Sequence, residues 1–207
     1  TLQQFDFLQM TTNRGVLRAE NMIAKEDAVF ILSPEPFEKG QLPDNTELAQ
    51  KLRIGVDEID ANMPVSIINA GLSTLMAPVR SLKSILSISP NLEELKEFCI
   101  KSGVDIIEVF TSDVASKNSH YRTRVFAPTF GYIEDPATGS GNSAFGYYLL
   151  KNGMWKAETI VIEQNGLMDA FNVVKLQKQT DENAERRRSF LGKGKQPRNS
   201  GWPVGLC

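Results

Sequence analysis

Residues 134 to 146 read EDPATGSGNSAFG. An acid pair, Glu134 and Asp135, stands directly before Pro136. A run of small uncharged residues follows, Thr138, Gly139, Ser140, Gly141, Asn142 and Ser143, and leads into the apolar Ala144, Phe145, Tyr147, Tyr148, Leu149 and Leu150. Pro136 fixes its own φ and drives Asp135 toward extended backbone. Thr138 or Ser140 then has the chemistry of an N-cap for a helix starting between Gly139 and Asn142. The first turn of such a helix carries N–H groups without internal partners and the positive end of the dipole. Glycines there let a ligand approach the backbone, which makes a cradle for a carboxylate or phosphate. Thr138, Gly139, Gly141 and Asn142 are the expected substrate-binding positions. Asp135 adds a titratable group beside the cradle, suited to general acid–base work, and Ser140 adds a hydroxyl within it. The plainer alternative is a capped core helix with no ligand.

GSGNSA, 139 to 144, also fits the dinucleotide fingerprint G-x-G-x-x-G/A, with Glu163 about 20 residues on as its acid. That motif needs a strand running straight into the first glycine, and here the polar EDPAT intervenes. A P-loop is excluded because no lysine follows the glycines. With one histidine, His120, and no CxxC pair, no metal site is expected. Cys99 and Cys207 are far apart, so a disulfide framework is not expected and Cys99 reads as a small core residue.

The elements that must position the cradle are mostly strands. Phe5 to Met10, Gly15 to Glu20 and Ala28 to Leu32 are expected strands from alternation or apolar runs. VSIINAGLSTLMAPV, 65 to 79, reads as two strands with a bend near Gly71. Strands are expected again at Asp105 to Phe110 and Tyr121 to Phe126, and AETIVIEQ and AFNVVKLQ alternate like a pair. Thr46 to Leu52 is an expected helix capped by Asn45 or Thr46. Asn91 to Ser102 is another, with Asn91 as cap, Glu93 and Glu94 in its first turn and Gly103 at its end. SAFGYYLL is apolar nearly all round, as a buried helix is.

Two successive groups of strands with few helices imply an α+β fold of two lobes. The expected division is 1–112 and 113–207, with the boundary in the polar TSDVASKNSH stretch. After about residue 178 alternation is lost and three consecutive arginines appear, which reads as a solvated tail cut first by proteases at Arg186 to Arg188.

Lys plus Arg is 23 against 25 for Asp plus Glu, so no strong field favours nucleic acid. No apolar run approaches the roughly 20 residues of a membrane span, and TLQQFDFLQM lacks a signal peptide's pattern, so a cytoplasmic protein is expected.

The stretch RVFAPTFGYIEDPATGSGNSAFGYYLL resembles the hallmark of PhzF-like proteins, the phenazine-biosynthesis family, which reads R-x-F-A-P-x-x-G-x-x-E-D-P-x-T-G-S/N. Arg124, Phe126, Ala127, Pro128, Gly131, Glu134, Asp135, Pro136, Thr138, Gly139 and Ser140 match it. Weaker similarity runs from TTNRGVLRAE to about Lys178. The resemblance implies a diaminopimelate-epimerase-like fold, with two similar lobes, each a curled mixed sheet around a central helix, and a site in the cleft. It implies a cofactor-independent isomerase or epimerase that moves protons on a small carboxylate metabolite. Asp135 would be the acid of the second lobe, and Ser140 with the backbone of Gly139 to Asn142 would hold the carboxylate. Family chains also carry an early catalytic Glu and a C-G-H-A-T-like motif whose His joins the site, and neither is in this sequence. The expectation is therefore a first lobe that is incomplete, a gene that extends upstream, and a truncated or frame-shifted member. A non-catalytic member that keeps the anion cradle is the alternative. A small carboxylate metabolite and, as one option, a second copy of the chain are the expected partners; nucleic acid, membrane and cofactor are not expected.

Overall fold

A computed structural model of the protein describes residues 6–12, 15–26, 28–178 and 204–206. Twelve described strands form one mixed sheet: β1 (Phe7–Thr12), β2 (Gly15–Asn21), β3 (Val29–Leu32), β4 (Phe37–Glu38), β5 (Ser66–Asn69), β6 (Ser73–Pro78), β7 (Ile106–Thr111), β8 (Tyr121–Phe126), β9 (Glu134–Asp135), β10 (Thr159–Gln164), β11 (Asn172–Lys178) and β12 (Val204–Leu206). Their order is β1-β2-β3-β12-β11-β10-β8-β7-β6-β5-β4, with β9 branching from β8. Two junctions, β6 with β7 and β8 with β10, are parallel, and the others are antiparallel. The helices are α1 (Ile23–Glu26), α2 (Asn45–Leu52), α3 (Leu82–Ser87), α4 (Leu92–Ser102) and α5 (Gly139–Lys151). This is the expected α+β class.

Strands β6, β7 and β8 are buried along their whole length because helices cover both of their faces. On one face, Leu48 and Leu52 of α2, Ile85 of α3, and Leu95 and Phe98 of α4 pack on Leu75, Ala77, Ile107, Val109 and Phe126. On the other, Ala144, Phe145, Tyr148 and Leu149 of α5 pack on Met76, Phe110, Tyr121, Ile162, Val174 and Leu176. The period of two sorts neighbouring residues to opposite cores, Val109 to the first and Phe110 to the second. Ring contacts fasten α5 to the sheet, Phe110 to Phe145 at 4.7 Å and Tyr121 to Phe145 at 5.1 Å. Such pairs add about 0.5–1.5 kcal/mol to the area they bury.

Helix α4 starts and stops where expected. The Asn91 side chain accepts from the N–H of Glu93 and Glu94, and Gly103 ends it at φ 66. Helix α2 differs in its cap. Asp44, not Asn45 or Thr46, accepts from Thr46 and Glu47 N–H, since its carboxylate already reaches both donors from extended backbone. Cys99 is fully buried, and burial together with the nearby Asp105 charge pushes its thiol up to about 12. Of the expected solvated tail, the arginine run and Cys207 lie outside the described residues, while Val204–Leu206 departs from that expectation and is a strand of the sheet. Beyond residue 178 the described strand β12 pairs with both β11 and β3. No helix among the described residues is long and apolar enough to cross a membrane.

Candidate active site

The site is assembled from β8 outward. Arg124 leaves β8 toward the helical face and donates to the Ile85 carbonyl at 3.0 Å and the Ile88 carbonyl at 2.7 Å. Its other edge grips Glu134 in a bidentate pair, Nε to Oε1 at 3.0 Å and Nη2 to Oε2 at 2.7 Å. Glu134 is thereby engaged as scaffold. It pins β9 against β8, with Asp135 opposite Val125. Between the two strands the chain reverses through a short turn at Pro128–Phe130, closed by Gly131 at φ 87, where any side chain would be strained.

Asp135 is half-buried, and Oδ1 accepts from the Ala137 N–H at 3.2 Å. The exposed ring of Tyr132 stands near it. Burial first, then the Asp135 charge, raises the Tyr132 phenol above its usual range.

Gln164, fully buried at the end of β10, ties the acid to the helix. Its Nε2 donates to the Asp135 carbonyl at 2.8 Å and to Thr138 Oγ1 at 3.3 Å. Its Oε1 accepts from the Thr138 N–H at 3.1 Å and from Asn142 Nδ2 at 2.6 Å. Thr138 is the N-cap of α5, but its hydroxyl makes no capping bond. That hydroxyl is turned to Gln164 instead, and the N–H groups of Gly139, Ser140 and Gly141 are left without acceptors among the described residues. An ordinary cap would have consumed one of these donors.

The expected site residues therefore divide. Gly139 is exposed, Ser140 and Asp135 are half-buried, and these three face outward. Thr138, Gly141 and Asn142 are buried. The Asn142 amide also donates to the Thr138 carbonyl at 2.7 Å, so its side chain braces the first turn from within. Gln164 was not singled out from the sequence: its place beside the helix start, opposite Thr123 of β8, is set by a parallel pairing that leaves no local signal. Replacing Gln164 with leucine should cost about 2 kcal/mol in urea unfolding, since Thr138 N–H and Asn142 Nδ2 both lose an acceptor. A loss below about 0.5 kcal/mol would show that this amide does not hold the loop.

The dinucleotide reading does not survive the geometry. Glu163 is fully buried, accepting from Ala115 N–H at 3.1 Å, Ser116 N–H at 2.6 Å and Arg122 at 3.1 Å. Its carboxylate is spent inside the protein, and the strand before α5 is the two-residue β9. His120 Nδ1 accepts from the Val161 N–H in a strand contact. Among the described residues no group of His, Cys, Asp or Glu could hold a metal ion. A cavity of ≈ 500 Å³, lined by Phe37, Tyr147, Lys151, Trp155 and Lys178 among others, sits at the opposite end of α5.

A family model for phenazine biosynthesis-like proteins, PhzC-PhzF, matches residues 1–194. The chain belongs to this family. The match runs past Lys178, where the likeness legible in the motifs fades. An uncharacterized isomerase of Clostridium acetobutylicum is 28% identical over 144 residues, 67% of this chain and 47% of that protein. The uncharacterized isomerase YfhB of Bacillus subtilis is 26% identical over 157 residues, 74% of this chain and 53% of that one. The chain thus spans about half the length of the curated relatives it matches. A phenazine biosynthesis protein of the PhzF family from Bacillus anthracis superposes with a TM-score of 0.75 at 19% identity, covering 97% of this chain and 64% of that one. This PhzF-like member therefore has the fold of its family, the diaminopimelate-epimerase-like arrangement of mixed sheet and helices.

Proposed function

We propose that this PhzF-like chain supplies the carboxylate cradle and one acid–base group of a cofactor-independent isomerase. The observation that carries the reading is the first turn of α5, where Gly139, Ser140 and Gly141 offer N–H groups with no internal acceptor while Gln164 fastens Asp135 to the same turn. Removing a proton beside a carboxylate builds negative charge on that carboxylate. Fixed N–H donors stabilise such charge without reorganising. Asp135 is the group that would take and return the proton. A small amino or hydroxy acid fits, because both carry a carboxylate next to the carbon that loses its proton. The second reading, binding without turnover, draws on the same cradle and on Glu134 being committed to Arg124, which leaves Asp135 as the acid of the motif able to reach a ligand.

Calorimetric titration with L-alanine and L-lactate tests the cradle. Binding of one of them is expected, and Ser140→Ala should weaken it about threefold to tenfold, the value of one hydrogen bond of about 0.5–1.5 kcal/mol. No binding of either acid, with Ser140→Ala indistinguishable from the parent, would reject the reading.

A further inference from the structure

Beneath the first turn of α5 lies an acid that the reaction above does not use. Glu108, in the middle of β7, is fully buried, and neither carboxyl oxygen has a hydrogen-bond partner. Its Oε2 is 2.7 Å from the point a Cβ on Gly141 would occupy. The carboxyl therefore presses on the inner side of the turn whose outer side is the cradle. A methyl on Gly141 would crowd that oxygen and force the Glu108 side chain to shift.

The register shows what surrounds it. Met76 lies opposite on β6 and Val125 on β8, with Thr74 and Thr123 next along the same face. From α5 comes Asn142. None of these titrates; Asp135 of β9, opposite Val125, is the titratable group that shares this face one strand further on, and no cation reaches Glu108 among the described residues. Two further buried oxygens on this side, Thr123 Oγ1 and Asn142 Oδ1, also lack partners. An ionised carboxylate here would face a cluster of acceptors with a single hydroxyl proton among them, so the carboxyl is neutral. Burial accordingly raises Glu108 well above the usual carboxylate range.

We propose that Glu108 is a proton-linked rival of the bound anion: it must carry its proton for the α5 terminus to accept an external carboxylate, so anion binding takes up a proton wherever the pH is high enough to ionise Glu108 in the free protein. This rests on the cradle reading. The helix terminus amounts to about half a positive charge. An ionised Glu108 would neutralise it from inside and would repel an anion on the other side of one peptide turn, through a medium that screens poorly. Once protonated, Glu108 leaves the terminus free and has a donor to offer the unpartnered oxygens beside it. Each ligand, proton and anion, then strengthens the binding of the other by the same factor.

Calorimetry with sodium sulfate in buffers of different ionisation enthalpy, from about pH 6 to about pH 9, reads the linkage directly and needs no variant. At the acid end of the range, where Glu108 already carries its proton, binding should take up none and affinity should be level; toward the alkaline end proton uptake is expected to appear, with affinity falling by up to about tenfold per pH unit, the slope for one linked proton. Glu108→Gln keeps the shape without the charge, and its sulfate affinity should be flat over the same range with no uptake. Stability supplies a second readout. A raised folded pKa stabilises below the unfolded value and that contribution is lost as pH rises through the folded one, so the wild type should weaken toward alkaline pH and Glu108→Gln should not. Sulfate binding without proton uptake at any pH up to the alkaline end of the range, or uptake that persists in Glu108→Gln, would overturn this inference and leave the cradle standing. No sulfate binding by either protein would defeat the cradle and the linkage together.

Discussion

Replacing Arg122 with alanine is expected to destabilise the fold by about 3–5 kcal/mol, the cost of leaving one member of a buried ion pair without its partner. Arg122 and Glu163 both have fully buried side chains, with Nη1 and Oε2 3.1 Å apart. The guanidinium also donates to the Asn165 carbonyl through Nε at 3.1 Å and Nη2 at 2.8 Å, and to the Leu167 carbonyl. Those bonds hold the β10–β11 turn, where Asn165 sits at φ 126, a conformation a non-glycine residue adopts only when its surroundings impose it. Glu163 in turn anchors the backbone of Ala115 and Ser116. Alanine would therefore free a strained turn and strand a carboxylate at once. Burial alone would raise Glu163. The N–H groups of Ala115 and Ser116, then Arg122, outweigh it and hold the carboxyl below its usual range. A lowered folded pKa gives stability that is present above the unfolded value, about 4.3 for Glu, and lost as pH falls through the folded one. Arg122→Ala removes part of the lowering, so the variant has less of this stability to lose on acidification and its deficit against the parent should shrink as pH falls through the carboxylate range. Urea unfolding at neutral and at acid pH measures both. A loss under about 1 kcal/mol that does not change with pH would show that the pair does not hold the turn. Replacing both residues with apolar ones, Arg122→Met with Glu163→Leu, should cost less than the sum of the single changes.

The same pair shows where sequence reading stops. Glu163 follows GSGNSA at the spacing of a ribose-binding acid; the polar EDPAT before the glycines speaks against that motif, but nothing local shows where the carboxylate goes instead. Its partner lies on β8, and only the parallel pairing of Glu163 with Arg122 in β8 and β10 brings the two side by side. Parallel pairing is non-local and leaves no spacing rule in the chain. Glu108 is a different failure. Within IIEVFT the alternation that sends Ile107 and Val109 to one core sends Glu108 with Phe110 to the other, so the burial was legible, but a lone acid in a strand is ordinarily taken as facing water. Helix α3, six residues in RSLKSILS, is too short for periodicity to declare it. Helices α4 and α5 were legible because their ends are written in local chemistry, Asn91 and Gly103 for one and the proline–glycine entry for the other. The start of α5 at Gly139, with its first-turn N–H groups left open, was legible for the same reason. That Thr138 forgoes its capping bond for Gln164 was not, since Gln164 arrives from a strand folded later in the chain.

Solvent deuterium is expected to enter the carbon beside the carboxylate of a bound amino or hydroxy acid, and Asp135→Asn should slow that entry by about 10²–10⁴-fold, the contribution of one positioned acid–base group. Asparagine keeps the size of the side chain and can still meet the Ala137 N–H through its amide oxygen, so β9 and the loop should hold. On the proposed function α5, not Asp135, grips the carboxylate. Affinity should therefore change by less than about threefold, while Ser140→Ala shows the opposite pattern, with weaker binding and a smaller effect on the rate of the saturated complex. A second feature separates one base from two. Asp135 lies to one side of the bound carbon, so a proton it removes returns to the face it left. Deuterium should enter with configuration retained when Asp135 acts alone, whereas inversion demands a second group on the far face. Proton NMR in deuterated buffer follows the loss of the signal, and chiral chromatography of the recovered acid reads the configuration. Exchange that persists in Asp135→Asn would move the base elsewhere. The absence of exchange by the parent, with the acid demonstrably bound, would establish the non-catalytic reading, in which the α5 terminus binds a carboxylate and the proton stays where it is.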